Sequence, residues 1–149
     1  MYILFIIMTH LQPKSIGFSG TRNGGMSFEQ ISTIIRILDS CGNYIIVNHG
    51  DCQGMDAEFH QLCIEYRNQH PDKKIVIRIF PPTIQTMRAH CDGDIMMSAQ
   101  PYITRNKTIL QYSSMLIACP KNKVQEELRS GTWSTIRQAK KLKIKTIIL

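Results

Sequence analysis

The sequence lacks three features that define large classes of proteins. Aromatic residues make up only 7% of the chain and do not alternate with the basic ones, so it has no stacking platform for single-stranded nucleic acid. The five cysteines are odd in number and scattered, which argues against the disulfide framework of a small secreted protein. The apolar run over residues 2–8 is too short to span a bilayer. We therefore expect a cytoplasmic protein without a membrane segment.

The first 13 residues differ from the rest of the chain. The run over residues 2–8 has neither the cationic start nor the small-residue cleavage site of a signal peptide. We expect residues 1–13 to form either an extra edge strand or an extension, and residues 14–149 to form one domain. The length of 149 residues and the 43% hydrophobic content fit a single core of ordinary size.

Metal-binding motifs are incomplete in this sequence. His49 and Cys52 are separated by two residues, as are His60 and Cys63, and zinc sites use this spacing. No Cys-x-x-Cys or His-x-x-x-His pair accompanies either of them. We therefore predict neither a metal nor a cofactor.

Basic residues outnumber acidic ones by 18 to 11, which gives a formal net charge of +7. A positive field favours anionic partners, but it does not choose among nucleotides, nucleic acids and acidic proteins. Nucleic acid is the less favoured partner, because the aromatic residues form no platform, although binding to a phosphate backbone does not require one.

Short β-rich runs alternate with longer amphipathic stretches, which is typical of βαβ units around a parallel sheet. Strands are predicted over residues 15–19, 44–48, 75–80, 115–119 and 144–149. Helices are predicted from Ser27, which forms a capping box with Gln30, and over residues 55–68, 102–112 and 131–142. Residues 83–100 have no clean period and are predicted to form a long connection. The sequence thus predicts one Rossmann-like α/β domain with three αβα layers and strand order 3-2-1-4-5.

Three loops are predicted at one edge of this sheet, where open parallel sheets bind their ligands. They span residues 19–22, 50–56 and 130–133, and a glycine in each lets the backbone approach a phosphate closely. Helix N-termini, hydroxyl groups and the planar fork of Arg22 or Arg105 would add hydrogen-bond donors. The predicted binding residues are Ser19, Gly20, Thr21, Arg22, Gly50, Asp51, Gly54, Asp56, Arg105, Asn106, Ser130, Gly131, Thr132 and Trp133.

Acidic side chains lie in and beside the second of these loops. Asp51, Asp56 and Glu58 allow three interpretations: negative charge in a first helical turn, acceptors for ribose hydroxyls, or acid-base groups and nucleophiles at a glycosidic carbon. Trp133 is the only tryptophan, and its ring either packs under the last loop or stacks on a base.

Together these segments resemble the SLOG superfamily, a Rossmannoid group that includes the Smf/DprA proteins and the Lonely-guy phosphoribohydrolases. The resemblance covers residues 14–149 and rests on the motifs GFSGTR (17–22), HGDCQGMD (49–56), RN (105–106), LIA (116–118) and SGTW (130–133). It implies that the glycine loops hold a nucleotide or a nucleotide derivative. Some members of the superfamily hydrolyse the N-glycosidic bond of a nucleoside monophosphate, and others sense nucleotide-derived signals or bind DNA.

The phosphoribohydrolase branch of that superfamily has paired glutamates after its last glycine loop. Ser134 and Thr135 occupy those positions here, whereas Arg105 matches the arginine of the catalytic pair. The resemblance therefore implies that, in an enzyme, Arg105 would act with a carboxylate from the second loop, Asp56 or Glu58.

Three functions are open at this point, and the first is preferred. The chain is expected to bind a nucleotide-like small molecule; the alternative is N-glycosidic hydrolysis or transfer on a nucleoside monophosphate, and the third is DNA binding. We also expect a homo-oligomer, because a domain of this size rarely encloses a nucleotide alone and residues 83–100 could reach a neighbouring subunit.

Overall fold

A computed structural model describes residues 1–3 and 12–149, and the described part is an α/β domain with a parallel sheet between helices. The predicted extension or edge strand over residues 1–13 lies largely outside the described residues. The strands are β1 (Lys14–Gly20), β2 (Tyr44–His49), β3 (Lys74–Ile79), β4 (Ile95–Met96), β5 (Met115–Cys119) and β6 (Lys145–Ile148). The four helices that flank the sheet are α1 (Phe28–Ser40), α2 (Met55–Gln69), α3 (Tyr102–Gln111) and α4 (Gly131–Lys141).

The strand order is β4-β3-β2-β1-β5-β6, and every pairing is parallel. The five predicted strands have the predicted relative order, and the Rossmann-like three-layer fold is confirmed. The prediction missed β4, which adds a sixth strand beside β3. Two residues are too few to show a period in the sequence, so residues 83–100 were predicted to form mainly a long connection.

Asp94 holds the short strand β4 against β3. Its side chain accepts a hydrogen bond from the Ile77 backbone N–H at 2.8 Å, and its own N–H donates to the Ile77 carbonyl at 2.9 Å. The same carboxylate forms an ion pair with Arg67 of α2 at 2.8 Å. A strand of two residues forms few backbone hydrogen bonds with its neighbour. The side chain of Asp94 supplies additional contacts that hold β4 in place.

β1 occupies the point where the order of the strands reverses. It pairs with β2 on one side and with β5 on the other, and Gly20 lies beside Cys119 at the carboxyl ends. The connections leaving β1 and β5 diverge here, so a crevice opens between them, as in other doubly wound sheets.

Local side-chain caps fix the helix starts near this crevice. The Ser27 hydroxyl accepts a hydrogen bond from the Gln30 N–H at 3.1 Å, while the Gln30 side chain accepts one from the Ser27 N–H at 2.8 Å. The capping box predicted for α1 is thus confirmed. At α4 the Ser130 hydroxyl accepts from the Trp133 N–H at 3.2 Å, and no described side chain accepts from the N–H groups of Gly131 and Thr132.

Hydrophobic residues form one cluster on each face of the sheet. The larger lies under α1 and α2 and includes Phe18 and Phe59, whose rings stack with centroids 4.2 Å apart. The smaller lies under α3 and α4 and is built around Leu116, Trp133 and Ile136. Among the described residues, no helix combines the length and hydropathy needed to cross a membrane.

Replacing Phe59 with alanine should destabilise the domain strongly, because Phe59 is fully buried and stacks on Phe18. The expected loss is about 3–5 kcal/mol of unfolding free energy, measured by urea denaturation. Phe28→Ala is the matched control, since Phe28 is 85% exposed, and it should change stability by less than about 0.5 kcal/mol. Equal losses in the two variants would contradict this description of the core.

Candidate functional site

The first and last glycine loops meet at the carboxyl edge of the sheet, beside β1 and β5. They enclose an open cleft of about 520 Å³, which we call the edge cleft. The N-terminus of α4 opens into it, and Thr132, 4% exposed, lines its wall. The edge cleft is lined by Gly20, Thr21, Arg22, Tyr102, Ile103, Lys121, Glu127, Leu128, Arg129, Ser130, Gly131, Thr132, Ser134 and Arg137.

Positive charge predominates around the edge cleft. Its charged lining residues are Arg22, Lys121, Glu127, Arg129 and Arg137. Arg137 forms an ion pair with Glu126 at 2.7 Å, but within the described residues Arg22, Lys121 and Arg129 form no salt bridge. In the described part of the chain, three cations therefore line the cleft without a salt-bridge partner, next to the positive end of a helix dipole.

Tyr102, at the start of α3, forms one wall of the edge cleft. A Cβ atom on Gly131 would lie 1.8 Å from the Tyr102 hydroxyl, so the glycine makes room for this ring. The guanidinium carbons of Arg22 and Arg105 lie 5.3 and 5.1 Å from the ring centroid. The sequence predicted that Gly131 lets a phosphate approach the backbone closely. In the structure the group that lies closest to this glycine is the Tyr102 side chain.

Behind Tyr102 and Arg22 lies a small polar void. Its volume is about 20 Å³, enough for about one water molecule. The polar groups around it come from the first two loops and from α3. They belong to Ser19, Arg22, Gly50, Asp56, Arg105 and Asn106. The void and the edge cleft share Gly20, Arg22 and Tyr102, so these residues separate the two spaces.

Arg105 is a buried residue of this void, with 2% of its surface exposed. Its guanidinium group donates to the carbonyls of Gly50 and Phe80, to the Cys52 sulfur at 3.4 Å and to the Asn106 side chain at 2.8 Å. The donors predicted to bind phosphate thus bind the protein instead. Arg105 ties α3 to the loops that follow β2 and β3.

Asp56 shares the void with Arg105 and is 5% exposed. Its carboxylate accepts a hydrogen bond from the Cys52 N–H at 3.2 Å. Burial raises the pKa of this carboxyl group to about 6, although the Arg105 charge and the backbone hydrogen bonds pull the pKa down. A carboxyl group with this pKa can gain or lose a proton near neutral pH.

Asp51 is fully buried and contributes to the lining of neither the edge cleft nor the void. Its carboxylate accepts hydrogen bonds from Arg88 at 2.7 Å and from the Cys91 N–H at 2.8 Å. Both oxygens are therefore used to attach the connection between β3 and α3. Its neighbours Gly50 and Asp56, in contrast, line the void.

Three further predicted residues, Gly54, Glu58 and Trp133, contact the protein's own backbone and hydrophobic core. Gly54 has φ of 91°, and a Cβ there would lie 2.2 Å from the Arg22 carbonyl oxygen, so this position requires glycine. The Glu58 carboxylate accepts from the N–H groups of Gly25 and Met26 at 3.2 and 3.3 Å. The Trp133 ring packs in the smaller hydrophobic cluster, and its Nε1 donates to the Asn122 carbonyl at 2.9 Å.

Eight lining residues of the edge cleft were absent from the predicted binding residues, among them Tyr102, Lys121, Arg129 and Arg137. Arg129 directly precedes the Ser130-Gly131 loop, so counting basic residues beside that loop would have identified it. Nothing local in the sequence indicates Tyr102, because its position depends on how α3 packs against the start of α4.

A buried histidine pair lies behind the second loop. The His49 Nδ1 accepts a hydrogen bond from the Asp51 N–H at 3.1 Å, so a neutral His49 carries its proton on Nε2. That atom lies 2.9 Å from Nδ1 of His60 and donates to it. Burial, together with the neighbouring His60, lowers the pKa of His49 to about 3.

Comparison with known proteins assigns no family: no protein-family model matches the chain, and no curated protein matches it significantly.

Asp56 should make folding stability depend on pH. Its folded pKa of about 6 lies above the unfolded value of 3.8, so the folded protein binds the proton more tightly between these values. The wild type should therefore lose about 2 kcal/mol relative to Asp56→Asn as the pH rises from 4 to 7. Urea denaturation of both proteins across this range measures the difference, and parallel pH profiles would contradict the assignment.

Proposed function

We propose that this protein binds a phosphate-bearing, nucleotide-like small molecule in the edge cleft. The observation that carries the proposal is that one open cleft combines a helix N-terminus with three cations that form no salt bridge among the described residues. Backbone N–H groups at a helix start bind phosphate, and arginine side chains add paired donors to its oxygens.

The residues around the cleft suggest a role for each part of such a ligand. The phosphate lies at the N–H groups of Gly131 and Thr132, where Arg22 and Arg129 neutralise its charge. The apolar part lies towards Ile103, which is 67% exposed on the rim. A cleft of about 520 Å³ accepts a ligand of nucleotide size.

Two further considerations support a nucleotide rather than a simple anion. The cleft lies at the reversal point of the strand order, where doubly wound sheets bind nucleotides. The motifs around it resemble those of the SLOG superfamily, whose ligands are nucleotides or their derivatives. In this proposal Arg105 is a positioning residue, because its N–H groups bind the protein.

N-glycosidic hydrolysis is a second candidate function, and Asp56 is the observation that favours it. Its carboxyl group lines a void of about one water molecule, separated from the edge cleft by Arg22 and Tyr102. A carboxylate in this place can orient or deprotonate a water, and that water reaches a sugar carbon in the cleft when the Arg22 and Tyr102 side chains move apart. Ser134 and Thr135, which stand in place of paired glutamates, favour binding without turnover.

Arg129→Gln should weaken binding of the preferred nucleotide by roughly tenfold to a hundredfold, because it removes a charge-assisted hydrogen bond. The ligand is first chosen by thermal shift from nucleoside monophosphates, cyclic nucleotides, NAD and ADP-ribose, with chromatography of the products. Isothermal titration calorimetry then compares the variants. Arg36→Gln on the exposed side of α1 is the matched control and should leave the affinity unchanged.

Each outcome of this experiment decides between the candidates. Equal affinities of Arg129→Gln and wild type would refute the edge cleft as the binding site. Release of a free base that Asp56→Asn abolishes would establish the hydrolase. A failure to bind any nucleotide, together with a steep salt dependence of duplex DNA affinity, would favour the third function.

We further propose that the protein is a homo-oligomer whose contacts cover the open side of the cleft. Leu128 and Ile103 are 84% and 67% exposed on its rim, and such side chains are commonly buried at interfaces. Light scattering should give a mass of at least two chains, and Leu128→Glu should reduce that mass. A monomer at high protein concentration would refute this part of the proposal.

A further inference from the structure

Three metal-ligating side chains that the edge cleft does not use lie together behind the second loop. His49 ends β2, His60 lies in α2, and Cys91 lies in the connection between β3 and α3. One ligand atom from each residue lies within 4.8 Å of the other two. His49 is fully buried and His60 is 8% exposed, so the group is part of the interior rather than a surface coincidence.

We propose that His49 Nε2, His60 Nδ1 and Cys91 Sγ form a binding site for a zinc-like divalent cation. Two imidazole nitrogens and a thiolate are donors that zinc prefers. Neither His-Cys pair suggested by spacing in the sequence forms this site, because its members come from three separate elements. The site is independent of the proposed nucleotide cleft.

The distances are close to those that coordination requires. Zinc lies about 2.0–2.1 Å from a nitrogen and about 2.3 Å from a sulfur, so tetrahedral donors are roughly 3.3–3.8 Å apart. The two nitrogens are 2.9 Å apart, and the sulfur lies within 4.8 Å of both. The imidazoles must separate slightly and the thiol must approach, which side-chain rotations can achieve.

Binding requires a defined rearrangement of protons. Without metal, the His49 Nε2 proton lies between the two rings and the Cys91 thiol holds its own proton. With metal, the thiol releases one proton to solvent, and the His49 proton moves from Nε2 to Nδ1. The protonated Nδ1 then faces the Asp51 N–H, and because two donors repel each other, one of them must turn away; the three metal–ligand bonds have to outweigh this cost.

The protein supplies three ligands, so a water molecule completes the tetrahedron. Asp51 is the nearest carboxylate in sequence to His49, but Arg88 and the Cys91 N–H already use its two oxygens. The metal would join β2, α2 and the β3–α3 connection at the same place where Asp51 attaches that connection. Its expected effect is therefore to stabilise the attachment.

The test uses chelator-treated full-length protein, titrated with Zn²⁺ by calorimetry and with Co²⁺ by absorption spectroscopy. Wild type should bind one equivalent of metal and give a thiolate-to-cobalt charge-transfer band. Cys91→Ser should lose that band and bind zinc at least about 100-fold more weakly. The matched control is Cys41→Ser, because Cys41 is a partly buried free cysteine outside the group, and it should behave like wild type.

Two further readouts keep the test decisive if a variant is unstable. Zinc should raise the thermal midpoint of wild type and of Cys41→Ser but not of Cys91→Ser or Cys91→Ala. Calorimetry in two buffers of different ionisation enthalpy should detect one proton released per zinc. Absence of stoichiometric binding, or equal affinity in wild type and Cys91→Ser, would overturn the proposal. Arg129→Gln should bind zinc like wild type, which separates this result from the nucleotide experiment.

Discussion

The arrangement of the carboxyl edge depends on one buried guanidinium group. Arg105 donates to the carbonyls of Gly50 and Phe80, which follow β2 and β3, and so holds α3 against two loops at once. A buried cation is costly unless hydrogen bonds and an opposite charge compensate it, and Asp56 supplies that charge. Because Tyr102 begins the same helix, the wall of the edge cleft is fixed by the same interaction. The cleft therefore depends on a residue that does not itself face it.

The separation of charges around this edge resolves an apparent conflict in the sequence, where acidic residues adjoin a loop suited to an anion. Asp51 is neutralised by Arg88 and faces the connection between β3 and α3. Glu58 binds the backbone of the turn before α1. Asp51 and Glu58 thus stabilise the framework, whereas Arg22, Lys121 and Arg129 line the cleft and form no salt bridge within residues 1–3 and 12–149. Negative charge beside the second loop does not oppose an anion bound at the first and last loops.

Prediction from the sequence was accurate for features that arise from neighbouring residues. The capping box of Ser27 and Gln30, the five longer strands and their relative order all follow from local periodicity and from the handedness of βαβ connections. β4 was missed because its two residues are held by the side chain of Asp94 rather than by a pattern of their own. Tyr102 was missed for a related reason, since its place beside Gly131 results from helix packing.

The sequence by itself determined the fold class, the order of the elements and the edge of the sheet where the glycine loops gather. Only the tertiary structure decided which polar side chains are left for a ligand. Arg105 and the Gly50 carbonyl are 55 residues apart in the chain, and Arg88 and Asp51 are 37 apart. Hydrogen bonds between residues so far apart in the chain produce no pattern in the sequence. They nevertheless occupy the polar groups that a motif would otherwise make available to a ligand.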